Sequence, residues 1–170
     1  MRLLNLLEQK QLHSKKRMLK KVDILAITLT SPITIGIYEN KKLIDTIQSD
    51  KKSSDILPLI FHELFQKYHP QKLFYANGPG SFMAIKVAYV FLKSLSILKN
   101  IPLYATDAFN FNKNQPIKAI GKLYFVKISS EIKTQKLEKV PEVHFQLPDV
   151  LDYDEFSTNT TPLYMIGAVG

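Results

Sequence analysis

The 170-residue chain has no cysteine. Disulfides, thiolate zinc sites and cysteine nucleophiles are thereby excluded, and a reducing cytoplasm is the natural expectation. No stretch approaches the roughly 18–20 uninterrupted apolar residues that span a bilayer, so no membrane association is expected. Met1–Leu7 is apolar but short, carries Arg2 and Asn5, and leads into no small-residue cleavage site, which argues against a secretory signal. Internal repeats with a period of 20–50 residues are missing. The four histidines, His13, His62, His69 and His144, do not form a metal-binding pattern. His62-Glu63 has no second histidine four positions after the first, and His62 and His69 stand seven residues apart across a helix end. Ser81 has no local base to make it a nucleophile. No catalytic residue, metal or cofactor is assigned.

What remains has globular proportions: 45% apolar and 22% charged residues, a length that suits one domain or two small lobes. The formal net charge is +8, but it is unevenly placed. Residues 1–21 hold Arg2, Lys10, Lys15, Lys16, Arg17, Lys20 and Lys21 against the single acid Glu8. Six of the eight net charges lie there, and residues 22–170 are close to neutral. Residues 1–21 read as a basic extension, a solvated arm with a weak amphipathic helix through Leu3, Leu4, Leu6 and Leu7, or as sequence upstream of a start at Met18.

From Val22 the pattern becomes that of a fold. Ile24–Ile27 is an apolar run of the kind buried on both faces of a sheet. Ser31-Pro32 breaks it, Ile33–Tyr38 alternates with period two, Glu39–Lys42 is a polar hairpin turn, and Leu43–Ser49 is a third strand. Ser53 and Ser54 offer N-caps for a helix to about Tyr68, with Pro58 in its first turn and Pro70 beyond its end. Leu73–Ala76 and Leu103–Thr106 read as buried strands flanking a helix from Ser81 to about Lys99. The order β-β-β-α-β-α-β with crossover helices indicates an α/β fold with a mixed sheet. After Asp107 the signal weakens. Ile117–Ile120 and Leu123–Ile128 look like strands around Gly121, residues 131–150 lack a clear period, and Pro162–Ile166 reads as a last strand.

The two helices carry more apolar residues than one sheet face needs. Ile56, Leu57, Leu59, Ile60, Phe61, Leu64, Phe65 and Tyr68 occupy far more than the ~100° stripe of a surface helix. Phe82, Met83, Ile85, Val87, Val90, Phe91, Leu92, Leu95, Ile97 and Leu98 do the same in the second. An apolar surface of this extent marks a partner interface unless the C-terminal third covers it. The expected partner face comprises Ile56, Leu57, Ile60, Leu64, Met83, Val87, Val90 and Phe91. Charged replacements at Leu57, Ile60, Val87 or Phe91 are expected to weaken association more than folding. Between strand and helix, Gly78-Pro79-Gly80-Ser81-Phe82 is either a tight turn capped by Ser81 or an anion site at a helix N-terminus. It lacks both the Gly-Lys-Ser/Thr ending of a P-loop and the spaced glycines of a dinucleotide fingerprint.

Several segments, in order, resemble the TsaB family. Leu25–Thr30 is similar to its opening Leu-Ala-Ile-Asp-Thr-Ser strand, and Ser53–Ile60 to its His-Ser-Glu-x-Leu-Leu-Pro-x-Ile helix start. Gly78-Pro79-Gly80-Ser81-Phe82-Met83-Ala84-Ile85-Lys86-Val87 resembles the Gly-Pro-Gly-Ser-Phe-Thr-Gly-Leu-Arg-Ile signature, and Ile101-Pro102-Leu103 with Thr106-Asp107-Ala108 follows in place. The resemblance covers residues 22–109, with echoes at Leu123-Tyr124-Phe125 and Pro162-Leu163-Tyr164. It implies an actin/Hsp70-like (ribonuclease H-like) lobe over residues 22–109 and a reduced second lobe over residues 110–170. The family's Asp is Thr28 here, its His is Lys52, its Thr-Gly is Met83-Ala84 and its Arg is Lys86. Related enzymes of this fold use acids near the first hairpin to hold a metal and phosphates, a charge Thr28 cannot supply. The resemblance therefore implies a non-catalytic, pseudo-ATPase subunit that binds a TsaD-type catalytic subunit, or itself, through the two helices. It would meet transfer RNA indirectly, within the complex that makes N6-threonylcarbamoyladenosine at position 37. The alternatives are a phosphotransferase-like enzyme using Asp23 or Asp45, and a direct RNA-binding module using the basic arm.

Overall fold

The computed structural model describes residues 2–140, 142 and 144–164, apart from the side chains of residues 2, 16 and 17. Its elements are α1 (Arg2–Met18), β1 (Lys20–Ile27), β2 (Ile33–Glu39), β3 (Lys42–Ser49), α2 (Ser53–Lys67), β4 (Tyr68–Ala76), α3 (Phe82–Lys99), β5 (Leu103–Thr106), β6 (Ile117–Lys118), β7 (Leu123–Ile128) and β8 (Glu131–Lys136), with short 3-10 turns at Ala108–Phe111 and Tyr153–Glu155. The first five strands form one sheet in the order β3-β2-β1-β4-β5. β1 pairs antiparallel with β2 and parallel with β4, and β4 pairs parallel with β5. The parallel pairs are those whose connections hold a helix, as parallel strands require. Five strands and two crossover helices thus appear where the residue pattern put them.

β1 is buried on both faces from Val22 to Ile27. Val22, Ile24 and Ala26 alternate into a core shared with Ile35 and Ile37 of β2, Leu73 and Tyr75 of β4, and Leu57, Ile60, Phe61, Leu64, Ala88 and Leu92 from α2 and α3. Leu25 and Ile27 alternate into a second core with Phe74, Phe109, Phe111, Ile117, Phe125 and Leu151. The two helices therefore lie on one face of the sheet and the C-terminal third on the other. Phe74 anchors that far side, its ring 4.6 Å from Phe156, 5.3 Å from Tyr104 and 5.5 Å from Tyr153. Backbone bridges fix the segment at both sheet margins: Leu43 N–H donates to Asp149 C=O at 2.9 Å, and Ser157 N–H to Ala105 C=O at 2.8 Å. The Tyr38 hydroxyl donates to Pro148 C=O at 2.9 Å, and that of Tyr75 to Thr160 C=O.

Local corrections have physical causes. The arm is helical to Met18, past its polar run, with Leu3, Leu4, Leu6, Leu7 and Leu12 exposed. β1 begins at Lys20, inside the basic segment, because Lys20 and Lys21 pair with Tyr68 and His69. Pro70 lies within β4 rather than beyond the helix. It falls where the β1–β4 register shifts, and β5 pairs only with Leu73–Ala76, so no ladder bond on that side is lost. Pro58 sits inside α2, beyond the first turn, and Lys52 rather than either serine is its N-cap. β8 adds a strand to the 131–150 stretch and completes a three-stranded antiparallel sheet β6-β7-β8. Its Ile117 and Phe125 are buried against the far face. Pro162–Tyr164 is not a strand, and Met165 and Ile166 lie outside the described residues. No helix among the described residues is long and apolar enough to cross a membrane.

Replacing Leu57, which is wholly buried, by alanine is expected to cost about 2–5 kcal/mol in urea unfolding. Ile97→Ala on the exposed side of α3 should stay within about 0.5 kcal/mol. The buried tyrosines add a pH dependence. Burial, and the Asp149 carboxylate, push the Tyr38 phenol well above its ordinary value. Burial, then Tyr89 and Tyr164, do the same for Tyr75. The unfolded chain releases these protons from about pH 10 while the folded chain retains them, so stability falls with rising pH above that point. The urea midpoint should drop between about pH 8 and pH 11, and Tyr38→Phe should flatten the drop.

Candidate functional site: a cleft beside an exposed helix face

α3 divides its apolar residues between two opposite faces. Ile85, Ala88 and Leu92 point into the core and are buried. On the far side, Met83, Val87, Val90, Ser94 and Ile97 follow one another at alternating four- and three-residue steps. That spacing is the a/d pattern found where one helix packs against another. Met83, Val90 and Ile97 are 62, 54 and 70% exposed, and Leu98 beside them is 80% exposed. Lys86 and Lys93 border one flank of the seam, and neither has a salt bridge among the described residues. The other flank closes on α2, where the Phe91 ring meets Phe61 edge-on at 5.4 Å.

The expected partner face therefore divides. Met83 and Val90 are exposed, and Ile56, Val87 and Phe91 are half-buried. Leu57, Ile60 and Leu64 are buried in the chain's own core and present no surface to a partner. The reason is that α2 spends its apolar residues on the sheet and on α3. Its outward positions are Asp55, His62, Glu63 and Gln66, with Leu59 exposed among them. Charged replacements at Leu57 or Ile60 thus act on folding. Summing apolar residues over the turn of each helix could not separate these cases; the seam spacing on α3 was the signal that could. The C-terminal third, packed on the opposite side of the sheet, reaches the helix layer at the start of α3, where the Tyr164 ring lies 4.6 Å from that of Phe82.

The glycine loop is a packed turn. Gly78 has φ +114°, and a Cβ there would sit 3.0 Å from both Ile85 Cδ1 and the Leu163 carbonyl. Its own carbonyl accepts from Ala108 N–H at 2.8 Å. Asn77 binds the tail on both sides: its carbonyl accepts from Leu163 N–H at 2.8 Å and its side-chain amide donates to Thr161 C=O at 3.0 Å. Gly78 and Pro79 are buried, Gly80 is half-buried over Leu29, and Ser81 and Phe82 are exposed. Ser81 takes the N-cap position of α3, but its hydroxyl makes no capping bond.

A cleft of about 580 Å³ opens at the N-terminal end of the seam. Its walls are the β1–β2 turn (Thr28, Leu29, Thr30, Ser31), the β3–α2 connection (Asp50 to Ser54) and the start of α3 (Ser81, Met83, Ala84, Val87). Of the glycine loop only Ser81 lines it. Lys51, Lys52 and six hydroxyl side chains line it with Asp50, the one carboxylate of the lining, which accepts a hydrogen bond from Ser31 at 3.0 Å. Met83 and Val87 belong to both the cleft and the seam. Among the described residues no three His, Asp or Glu side chains cluster as metal ligands. Asp23 lies elsewhere, accepting from the Tyr153 hydroxyl, and Asp45 pairs with Lys67 at 3.7 Å.

A mixed sheet ordered β3-β2-β1-β4-β5, with antiparallel β1–β3 and two crossover helices on one face, is the actin/Hsp70-like lobe. Structural comparison places the chain more closely. It matches YeaZ from Pseudomonas aeruginosa with a TM-score of 0.51 at 13% identity, over 71% of this chain and 66% of that one. A second P. aeruginosa structure, of an uncharacterized protein similar to peptidase YeaZ, gives a TM-score of 0.48 at 13% identity over the same shares. Neither a family model nor a curated protein matches the sequence. The fold is that of YeaZ, the TsaB protein, and the chain spans just under two thirds of the YeaZ structure's length.

Gly78→Ala should cost about 1–3 kcal/mol, since both its φ and the fixed Leu163 carbonyl oppose a Cβ. Gly80→Ala, with a Cβ 3.3 Å from the mobile end of Leu29, should cost less. Parallel thermal melts of the two variants distinguish them.

Proposed function

We propose that this protein is a non-catalytic partner subunit that docks a TsaD-type catalytic subunit in the synthesis of N6-threonylcarbamoyladenosine at position 37 of transfer RNA. The observation that carries the reading is the exposed a/d seam of α3, Met83–Val87–Val90–Ser94–Ile97, left uncovered by the described C-terminal residues. A seam of this spacing gains free energy by meeting a second helix. The motif order and the YeaZ fold support the choice of partner. Thr28 stands in the cleft lining where the TsaB resemblance has an aspartate, which leaves Asp50, accepting from Ser31, as the one carboxylate of that lining. Transfer RNA is then met through the complex, and the cytoplasm is its place of work.

The test is co-elution of the chain with the TsaD-type subunit on size exclusion. Val90→Asp should abolish co-elution, at least tenfold weaker binding, with an unchanged urea midpoint. Leu57→Asp should instead yield insoluble protein. Full co-elution by Val90→Asp would overturn the reading.

A further inference from the structure

We infer that α1 docks on an anionic lipid surface, its leucine end at the acyl boundary and its basic end among the headgroups; the inference is independent of the partner-subunit reading. The helix sorts its residues along its length. Leu3, Leu4, Leu6 and Leu7 fill its first two turns and are 77, 65, 54 and 55% exposed. At about 100° per residue they fall within about 160° of the circumference, a broad apolar face that the described residues leave uncovered. Residues 10–21 then hold Lys10, Lys15, Lys16, Arg17, Lys20 and Lys21 with no acid among them, and Glu8 is the one acid of α1. Lys20 pairs with Glu39 at 3.4 Å, whereas Lys10, Lys15 and Lys21 have no salt bridge among the described residues. From Leu6 to Lys16 is about 15 Å along the axis at about 1.5 Å per residue.

A nucleic acid, a protein groove and a membrane make different demands on such a helix. Phosphates of RNA meet the cations but leave four leucines in water. A groove that takes an amphipathic helix uses anchors at three- and four-residue steps along its length. Here the leucines of that face stop at Leu7, and Leu12, 66% exposed, falls about 180° from Leu3. A bilayer surface is layered in the same order as the helix, hydrocarbon and then charged headgroups. Tilted into it, the leucines reach the acyl boundary, about 5–10 Å deep, while the cations stay at headgroup level. Apolar side chains and a basic cluster are the two signals that together hold a peripheral protein on anionic lipid. No helix among the described residues is long and apolar enough to cross a membrane, but a helix in the interface needs no spanning length. The expectation of no membrane association therefore bears on crossing alone. A single residue, Leu19, joins α1 to β1, so the exposed Lys20 and Lys21 follow the helix to the headgroups.

Vesicles of phosphatidylcholine, alone or with about 30% phosphatidylglycerol, are the probe, co-sedimented with the full chain at about 50 mM salt. The chain is expected to bind the anionic vesicles at least tenfold more tightly than the neutral ones, and to lose that preference at about 500 mM salt. Leu4→Glu/Leu7→Glu should abolish binding with an unchanged urea midpoint, and Lys10→Glu/Lys15→Glu should abolish the preference. Val90→Asp, on α3, should bind as the natural chain does. The chain has no tryptophan, so Leu7→Trp reports the depth of that side chain. Its emission should shift to the blue with anionic vesicles and stay unshifted with polyuridylate. If the paired leucine changes impair folding, this single exposed replacement carries the test. Equal binding to both vesicles, binding to neither, or anionic binding that survives the leucine changes overturns the inference. So does polyuridylate bound more tightly than anionic vesicles, which assigns the arm to RNA. Self-association that the leucine changes remove, without vesicle binding, overturns it in favour of a second copy.

Discussion

β1 is sheltered on both faces, and the architecture follows from that single constraint. Its backbone groups are satisfied by β2 and β4, so its side chains are free to alternate, Ile24 and Ala26 to one side and Leu25 and Ile27 to the other. Each side then needs a cover, at roughly 25 cal/mol per Å² of apolar surface withdrawn from water. The helices α2 and α3 supply one cover. The other must come from the remaining chain, and residues 108–157 supply it through Phe109, Phe111, Ile117, Phe125 and Leu151. A segment committed to the far face of the sheet is not available to cover the outside of the helices. The exposed row on α3 is thus the remainder of a partition of apolar surface among three layers.

The same partition explains the cleft. The β1–β2 turn, the β3–α2 connection and the start of α3 converge because all three lie at one end of the sheet, where the parallel strands deliver their connections. In an enzyme of this fold that convergence would gather carboxylates. Here it gathers Thr28, Thr30, Ser31, Ser53, Ser54 and Ser81 with Lys51 and Lys52. Thr28 is 2% exposed, so an aspartate at the same place would carry a desolvated charge in need of a metal or a cation. Threonine avoids that cost. The glycine loop shares in this: Gly78 is required by Ile85 and the Leu163 carbonyl, a packing demand that an apparent phosphate-binding motif conceals.

The N-terminal half was legible because its signals are local and periodic. Alternation in Ile33–Tyr38, the apolar run Ile24–Ile27 and the breaks at Ser31-Pro32 and Asn100-Ile101-Pro102 each report a boundary within a few residues. The C-terminal half was not, because its order comes from long-range contacts. Leu147, Leu151, Tyr153 and Phe156 are held against the sheet by partners far away in sequence, such as Tyr38 and Phe74. Pro70 stops no helix for a related reason: β4 tolerates it where the ladder already shifts. The site was half legible. Counting apolar residues around each helix found the excess but could not tell which neighbour each faced. Leu57, Ile60 and Leu64 fell to the core because α2 packs against both the sheet and α3, whereas the four-three spacing on α3 survives as surface.

The exposed seam is too small to hold a partner by apolar area alone. Fully burying a Met, Val or Ile side chain contributes roughly 1.5–3 kcal/mol, and Met83, Val90 and Ile97 have between about half and two thirds of that left to gain. Three such residues give a few kcal/mol, at or below the roughly 4–15 kcal/mol that association costs in lost freedom. Under the docking role proposed above, a partner would therefore have to cover Phe82 and Leu98 as well, which are 51 and 80% exposed beside the row.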